Sequence, residues 1–195
     1  MKIFQLKESE RIKESLRSLT EEFIEEYPYY STWIEKNKAT FKDGTRVVYE
    51  LKDNEKTVGY MMVHFSTQKC AKVNGIYVFP DCQKRGYAKK ALLQVLEELR
   101  KQNYDYAFIQ TRTHNKIVVH MFDTLHFDVI GQNYHKIEKQ PNWVAVYDLK
   151  KKETLMRCML LQHSFIQVSP RIDMQLGKVS NDTLLFSKFS NIISK

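Results

Sequence analysis

The amino-acid sequence predicts a mixed α/β fold, and three observations support this prediction. Residues 45–79 contain three successive apolar segments with strand-like alternation, separated by short polar turns. From Tyr87 onward, apolar residues recur every three to four positions, as in a helix that packs one face on a sheet. The chain has 195 residues, of which 43% are hydrophobic, and this is enough for one domain with a sizeable core.

The beginning of the chain is predicted to form a short strand followed by helices. Residues 1–6 favour a strand, and residues 8–19 favour a helix that buries Ile12, Leu16 and Leu19. Residues 20–30 combine four glutamates with three tyrosines, and Pro28 stops any helix that runs through them. Residues 31–38 are predicted to form a further short helix.

The remaining elements complete a predicted mixed sheet flanked by helices. Strands are expected over residues 45–53, 56–66 and 71–79, with turns at Asp53-Asn54 and at residues 67–69. After the amphipathic helix, a strand is expected over residues 104–110 and a helix over residues 115–125. A final hairpin is expected from residues 127–135 and 143–149, joined by the polar residues 138–142.

The turn between residues 79 and 88 is predicted to bind an anion. Pro80 has no N–H and ends the preceding strand, while Gly86 has no Cβ and lets the backbone approach a bulky ligand. Lys84 and Arg85 add positive charge where the helix dipole is already positive, which costs folding stability but favours a pyrophosphate. A helix that starts here directs several free backbone N–H groups at one spot, so the pattern indicates a phosphate cradle.

These residues resemble the GNAT superfamily of acyl-CoA N-acyltransferases. The strand ending Ile76-Tyr77-Val78 and the turn running from Gln83 to Ala88 match the superfamily's strand and its Gln/Arg-x-x-Gly-x-Gly/Ala motif. Asn115 and Phe127 keep the spacing of a second motif, with Phe122 where Tyr is usual and His126 where Gly is usual. The resemblance covers residues 1–149 in layout and is specific within residues 73–127.

The resemblance implies a fold, a cofactor and a reaction. The fold would be a largely antiparallel mixed sheet with two splayed central strands, flanked by helices. The reaction would be acetyl transfer from acetyl-CoA to an amine by direct attack in a ternary complex, with no metal. The residues expected to contact the cofactor, through backbone or side chain, are Ile76, Tyr77, Val78, Gln83, Lys84, Arg85, Gly86, Tyr87, Ala88, Lys89, Asn115 and Phe122.

The sequence departs from the superfamily at both usual acid–base positions. The tyrosine that commonly protonates the leaving thiolate corresponds to Phe122, which has no proton to donate. The carboxylate base of some members corresponds to Gln110, which has no useful basicity. Two interpretations remain open. In the first, another group acts as the acid or the base, with Tyr134, His120 and Tyr77 as candidates. In the second, the chain binds acetyl-CoA as a regulatory or interaction module without turnover.

The acceptor is expected to be an amine of a small molecule or a protein. In the superfamily layout the first two helices help form the acceptor side of the cleft, so the acidic residues 20–30 either receive a cationic amine or form a solvated face. The net charge of +8 also permits an RNA-linked amine. The basic residues are scattered, however, with no dense run beyond residues 150–152, so nucleic acid is not the favoured partner.

The cysteines, histidines and apolar runs of the sequence limit which metal sites, disulfides and cellular locations are expected. Three cysteines without Cys-x-x-Cys spacing predict neither a disulfide framework nor a zinc site, and His114, His120 and His126 are not spaced to share a helical face. No segment resembles a signal peptide or a membrane span, so a cytoplasmic protein is expected. Residues 1–149 are expected to form the acetyltransferase-like domain, and residues 150–195 are expected to form a basic extension: a partner-binding segment, a substrate lid or a packed subdomain.

Overall fold

The structure is a computed structural model that describes residues 1–25, 27–65, 69–134 and 140–150, without the side chain of Tyr134. In chain order the elements are β1 (Lys2–Gln5), α1 (Ser9–Phe23), α2 (Tyr30–Lys36), α3 (Lys38–Lys42), β2 (Arg46–Asp53), β3 (Lys56–Phe65), β4 (Cys70–Val78), α4 (Tyr87–Lys101), β5 (Tyr106–Arg112), α5 (Lys116–Thr124), β6 (Asp128–Tyr134) and β7 (Pro141–Asp148). A 3₁₀ turn at Pro80–Cys82 lies between β4 and α4. Apart from the division between α2 and α3, the strands and helices follow one another in the order that the sequence predicts.

The strands form one seven-stranded sheet in the order β1-β2-β3-β4-β5-β7-β6. Every neighbouring pair is antiparallel except β4 and β5, which are parallel. Parallel neighbours need a crossover connection, and α4 provides it. The prediction of a mixed, largely antiparallel sheet flanked by helices is therefore confirmed.

Helices cover both faces of the sheet. On one face, α4 buries Ala91, Leu92, Val95, Leu96 and Leu99 in the main core, which also contains Phe122 of α5. On the other face, α1 and α2 contribute Leu19 and Ile34 to a second core cluster with Met62 and Tyr77 of the sheet. We call this second side the α1–α3 face. The cleft described below opens between these two layers of helices.

Three predicted boundaries were wrong because tertiary contacts set them. Helix α1 continues to Phe23, whose ring packs edge-on against Tyr30 at 5.3 Å. The helix expected at residues 31–38 is two helices that meet at Asn37, whose side chain donates to the Trp33 carbonyl at 2.7 Å. The strand expected at residues 104–110 begins and ends two residues later, because Arg112 still pairs with β7.

Parts of the sequence-based interpretation fall outside the described residues. The bend at residues 67–69 is described only at Lys69, and the extension from residue 151 onward, with its expected strands at 165–168 and 184–186, is not described. The division at residues 149 and 150 therefore stays a prediction. Within the described chain, no helix combines the length and apolar character needed to cross a membrane.

Candidate active site

The two central strands separate along their length and leave a wedge-shaped gap. β4 and β5 pair from Cys70 opposite Tyr106 as far as Val73 opposite Ile109. Beyond that point β4 continues to Val78 and β5 to Arg112 without pairing to each other. The other edge of β4 stays paired with β3 through Val78. Apart from the Val78 carbonyl, which accepts from the Gln83 side chain, the backbone groups of residues 74–78 that face β5 are therefore available to a ligand.

A β-bulge at Asn74 explains why β4 turns away from β5. Met62 lies opposite Gly75 and Val63 lies opposite Val73, so Asn74 is the extra residue on β4. An extra residue bends its strand and increases its twist, and here it stands one position after the last β4–β5 pair. The Asn74 side-chain oxygen is buried and has no hydrogen-bond partner among the described residues. The bulge therefore places a residue with an unsatisfied acceptor one position beyond the last β4–β5 pair.

The start of α4 presents a row of free backbone amides. The first backbone hydrogen bond of this helix joins the Lys90 N–H to the Gly86 carbonyl at 3.0 Å. Within the described chain, the N–H groups of residues 84–89 have no acceptor. Lys84 and Gly86 adopt positive φ angles of 61° and 76°, which curl the turn and direct successive amides outward. Amides arranged in this way can bind an anion, and the anion cradle stays a prediction.

Side chains around the cradle hold the turn in place and stay outside the amide row. The Gln83 side chain donates to the Val78 carbonyl at 3.0 Å and so joins the turn to the end of β4. Tyr87 points into the core and donates to the Asp53 carboxylate at 2.5 Å, and this hydrogen bond is the main cause of the raised pKa of Tyr87. Lys84, Arg85 and Lys89 are exposed. Tyr87 thus offers a ligand its backbone and not its hydroxyl.

The predicted contacts on β4 have packed side chains and an open backbone edge. Ile76 and Val78 pack against the main core, and Tyr77 packs in the second cluster with its ring 6.1 Å from Phe23. Burial raises the pKa of Tyr77, and Glu22 acts in the same direction. The Tyr77 hydroxyl therefore stays protonated at neutral pH. These residues can meet a ligand in the gap through main-chain groups.

The predicted residues after β5 have different surroundings. Asn115 caps α5, with its side-chain oxygen accepting from the Val118 N–H at 3.2 Å. Phe122 is fully buried, and its ring lies 5.8 Å from that of Phe127. His120 is exposed, and its position two residues from Phe122 directs it to the opposite side of α5. Tyr134 ends β6 opposite Pro141, and its side chain is outside the described structure.

The α1–α3 face carries three basic side chains that the sequence analysis did not single out. Arg46 on β2 lies opposite His64 on β3, and His64 lies opposite Lys72 on β4. We call these residues the basic row. Lys72 donates to the side-chain oxygen of Gln110 at 2.5 Å, immediately before the strands part. Polar residues at inward strand positions were the available signal, but only the strand register shows that they meet.

The pKa values of all three side chains in the basic row are strongly lowered. Burial lowers the pKa of His64 to about 4, and the positive charges of Arg46 and Lys72 add to this effect. Burial also lowers the pKa of Lys72 to about 8, with Arg46 as the second cause. The pKa of Arg46 falls to about 10, again chiefly through burial. Each group is thus held where its charged form is disfavoured.

The acidic segment borders the gap through Glu22, which acts on the Tyr77 hydroxyl of β4. Glu21, Glu22 and Glu25 are exposed, which agrees with the interpretation of a solvated face. Tyr27 and Tyr30 of this segment are partly buried, whereas Tyr29 is exposed. The Arg112 guanidinium lies 4.6 Å from the centre of the Tyr27 ring. Near the gap the α1–α3 face therefore carries aromatic and basic groups together with the Glu22 carboxylate.

Metal-ligand and thiol chemistry find little support in the described residues. No cluster of three or more His, Cys, Asp or Glu side chains suited to a metal ion occurs there. Cys70 and Cys82 are free and buried, and burial raises the pKa of the Cys70 thiol to about 12. Neither cysteine has the exposed, electropositive surroundings of a reactive thiolate.

Comparisons with known proteins agree with this geometry. Among solved structures, the spermidine N-acetyltransferase SpeG of Vibrio cholerae, a point mutant, matches with a TM-score of 0.62 and 14% identity, covering 79% of this chain and 98% of its own. A Bacillus subtilis acetyltransferase in complex with CoA matches with a TM-score of 0.56 and 12% identity, covering 75% and 97%. The Escherichia coli ribosomal-protein-S18-alanine N-acetyltransferase matches with a TM-score of 0.52 and 18% identity, covering 62% and 79%.

At these identities the structural matches establish a shared fold. No protein with a curated description matches this chain significantly in sequence. The model of the acetyltransferase (GNAT) family matches residues 10–127, which is more than half of the chain and includes the gap, the amide cradle and α5. The protein therefore belongs to the GNAT family of acetyltransferases.

Proposed function

We propose that this protein transfers an acetyl group from acetyl-CoA to the primary amine of a small molecule or a protein, by direct attack in a ternary complex. The observation that carries the proposal is the open edge of β4 beside the amide row of residues 84–89. An extended amide-containing chain can pair with such an edge, and a diphosphate can accept hydrogen bonds from such amides. These are two parts of one molecule, coenzyme A.

The residues of the chain divide the work of holding this cofactor. The amides of residues 84–89 would bind the diphosphate, and the exposed Lys84 and Arg85 would add positive charge. The backbone from Ile76 to Val78 would pair with the pantetheine arm, and Asn115 would approach the arm from the start of α5. Phe122 would form the inner wall of the cofactor site. The cofactor supplies the acyl group as a thioester whose carbon–sulfur bond breaks as the new nitrogen–carbon bond forms.

The reaction also needs one proton removed from the amine and one delivered to the departing sulfur. Gln110 cannot act as a base, and its side-chain oxygen accepts a hydrogen bond from Lys72. Tyr134 is our preferred acid, with His120 and Tyr77 as the other candidates. The exposed position of His120 gives no support to its role. Holding the two reactants together supplies much of the acceleration, so an imperfect acid–base arrangement is compatible with turnover.

A second candidate is a module that binds acetyl-CoA without turnover. Phe122, fully buried, stands where the superfamily commonly has its acid, and this is the observation that favours the alternative. An RNA-linked amine is a further possible acceptor, on the ground of the net charge of +8 alone. As part of the same proposal, we expect the protein to be cytoplasmic.

Two measurements together test the proposal. Calorimetry with CoA is expected to show binding, and thiol release from acetyl-CoA is expected to rise above background when suitable amines are added. Tyr134→Phe is expected to slow thiol release by tenfold or more while leaving CoA affinity unchanged. Binding without thiol release over a broad amine panel would support the second candidate. An unaltered rate in Tyr134→Phe would remove Tyr134 from the mechanism, and no binding of CoA would overturn both candidates.

A further inference from the structure

The basic row lies beside the point where the strands part. Lys72 precedes Val73, the last β4 residue that pairs with β5, and Lys72 contacts Gln110 on the neighbouring strand. Arg46 and His64 continue the row across β3 and β2 on the same face. This face is covered by α1 to α3, whereas α4 and its amide row pack on the opposite face. The row therefore approaches the gap from the side away from the cofactor cradle.

Arg46 is buried without the hydrogen bonds that a guanidinium requires. It is 5% exposed, and its Nε and one Nη have no hydrogen-bond partner among the described residues. The guanidinium lies 4.5 Å from the centre of the Trp33 ring and 5.7 Å from that of Phe41. Stacking on aromatic rings stabilises a cation but leaves its N–H donors unsatisfied. These donors are available to an acceptor that enters from the cleft.

The nearby carboxylates do not complete the row. Asp43 acts electrostatically on Arg46 and His64, but it is exposed and accepts two hydrogen bonds from Thr45, at 2.8 and 2.6 Å. Glu50 lies on the same face of β2 and is held by Arg11 at 2.5 Å and by Thr57 at 2.6 Å. Both carboxylates are thus committed to other groups. The row keeps a local excess of positive charge, and its Arg46 guanidinium is buried.

Such an arrangement costs folding free energy, and the interactions of the described residues do not compensate for this cost. Arg46 and Lys72 repel each other and are both desolvated. Desolvated like charges of this kind cluster at functional sites, where a ligand of opposite charge can complete the site. A carboxylate or a phosphate satisfies the requirement, since either oxyanion accepts hydrogen bonds from a guanidinium and an ammonium together.

We propose that Arg46 and Lys72 form an anion subsite, and that the amine acceptor of this protein carries an oxyanion, a carboxylate or a phosphate, within the same small molecule. The inference rests on the proposed function, because it places the acceptor on the α1–α3 side of the gap. It names a substrate class that the family alone does not specify. A polyamine, whose charged groups are all cations, would be repelled from this subsite.

The spacing limits the size of the acceptor. Arg46 and Lys72 stand on strands separated by β3, so their backbones are about 10 Å apart. The Lys72 ammonium donates to Gln110 in this structure, and it would have to turn back towards His64 for both side chains to hold one oxyanion. The gap begins directly beyond Lys72. The oxyanion and the reacting amine are therefore separated by a few bonds. An amino acid or an aminoalkyl phosphate has these dimensions.

Matched pairs of acceptors test the subsite. The wild-type protein is assayed for thiol release with an amino acid and its carboxamide, with phosphoethanolamine and ethanolamine, and with spermidine. The acidic member of one pair is expected to have a kcat/KM at least tenfold higher than its neutral partner, and the pair with the larger ratio identifies carboxylate or phosphate. Spermidine is expected to be the poorest acceptor. Calorimetry of the acidic amines on CoA-saturated protein provides a readout that does not need turnover.

Three variants test whether the preference for acidic acceptors depends on Arg46 and Lys72. Lys72→Met is expected to reduce the preference for the acidic acceptor over its neutral partner at least tenfold, mainly through the KM of the acidic acceptor. Lys42→Gln removes one positive charge from an exposed position at the end of α3 and is expected to keep the preference. Arg46→Lys keeps the charge but loses the planar fork, and it is expected to weaken the preference. Melting curves check that each variant is folded.

The outcomes separate the subsite from the proposed function. If neutral or cationic amines are acetylated as well as acidic ones, the anion subsite is refuted and acetyl transfer stands. If no amine is acetylated but an acidic amine binds the CoA-saturated protein and fails to bind Lys72→Met, the subsite stands and acetyl transfer is refuted. If acidic amines show neither binding nor preferential acetylation, the subsite is refuted. An unchanged preference in both Lys72→Met and Arg46→Lys also refutes it.

Discussion

The amide cradle makes a sharp prediction for two substitutions of Gly86 that differ only in charge. Gly86 has a φ of 76° and a ψ of 11°, and a Cβ added there would meet no heavy atom within 4 Å. Asn and Asp are the residues other than glycine that best tolerate this left-handed conformation. Both variants are therefore expected to fold, with a loss of stability of about 1 kcal/mol each. Gly86→Asn thus controls for backbone strain and side-chain volume.

The charge of Gly86→Asp should act directly on a diphosphate bound to the neighbouring amides. A carboxylate about 5 Å from a diphosphate of charge near −2, in a solvent-rich site with an effective dielectric constant of about 60, raises the free energy of binding by roughly 2 kcal/mol. This corresponds to an affinity about thirtyfold weaker than that of Gly86→Asn. Added salt screens the repulsion, so the difference should shrink towards several-fold at about 0.5 M salt.

Calorimetric titration of both variants with CoA, at low and at high salt, measures these differences. Melting temperatures recorded without ligand separate any loss of folding from loss of binding. Equal affinities of Gly86→Asp and Gly86→Asn at low salt would show that the diphosphate does not lie on the amides of residues 84–89. The proposed position of the cofactor would then be wrong, even if the protein binds CoA elsewhere.

Three other substitutions test the packing and titration described above. Because the folded pKa of His64 is about 4 and its ordinary value is 6.5, wild-type stability should fall between pH 6.5 and pH 4 by roughly 2 kcal/mol, and His64→Gln should flatten this dependence in urea titrations. Because the folded pKa of Lys72 is about 8 and its ordinary value is 10.5, Lys72→Met should raise stability at pH 7 by about 1–3 kcal/mol, and this gain should vanish above pH 10.5. A Cβ at Gly59 would lie 2.1 Å from the Tyr77 carbonyl oxygen, so Gly59→Ala should displace β4, lower stability by more than about 2 kcal/mol and weaken CoA binding. A flat pH profile in the wild type, an unchanged stability in Lys72→Met, or a fully stable Gly59→Ala would contradict the respective argument.

The cradle was readable from the sequence because its determinants are local. Pro80 ends a strand wherever it stands, and Gly86 ahead of an amphipathic helix predicts a free helix start without reference to the rest of the fold. The structure reproduces both features, with the 3₁₀ turn at Pro80–Cys82 and the left-handed Gly86. The resemblance to the superfamily added the splayed strands, which no local pattern indicates.

The basic row could not be predicted in the same way, because it depends on strand register. Arg46, His64 and Lys72 are far apart in the sequence, and each alone is an ordinary polar residue in a strand. A slip of one residue in either pairing would send a side chain to the opposite face. The bulge at Asn74 is also a property of the β3–β4 register and leaves no mark in the composition. Long-range pairing therefore determined the features that sequence reasoning missed.

The basic row also bears on the missing base. An amine must lose its proton before it attacks a thioester, and Gln110 cannot accept that proton. Burial and neighbouring cations both lower the pKa of an amine, and the Lys72 amine has a pKa of about 8 here, chiefly through burial and secondly through the charge of Arg46. Two cations of the row exceed the single charge of a carboxylate on the acceptor, so an acceptor amine held there would experience a net positive potential. Under the proposed function, the same residues that bind the acceptor's anion would favour the neutral, nucleophilic form of its amine, and the site would have less need of a carboxylate base.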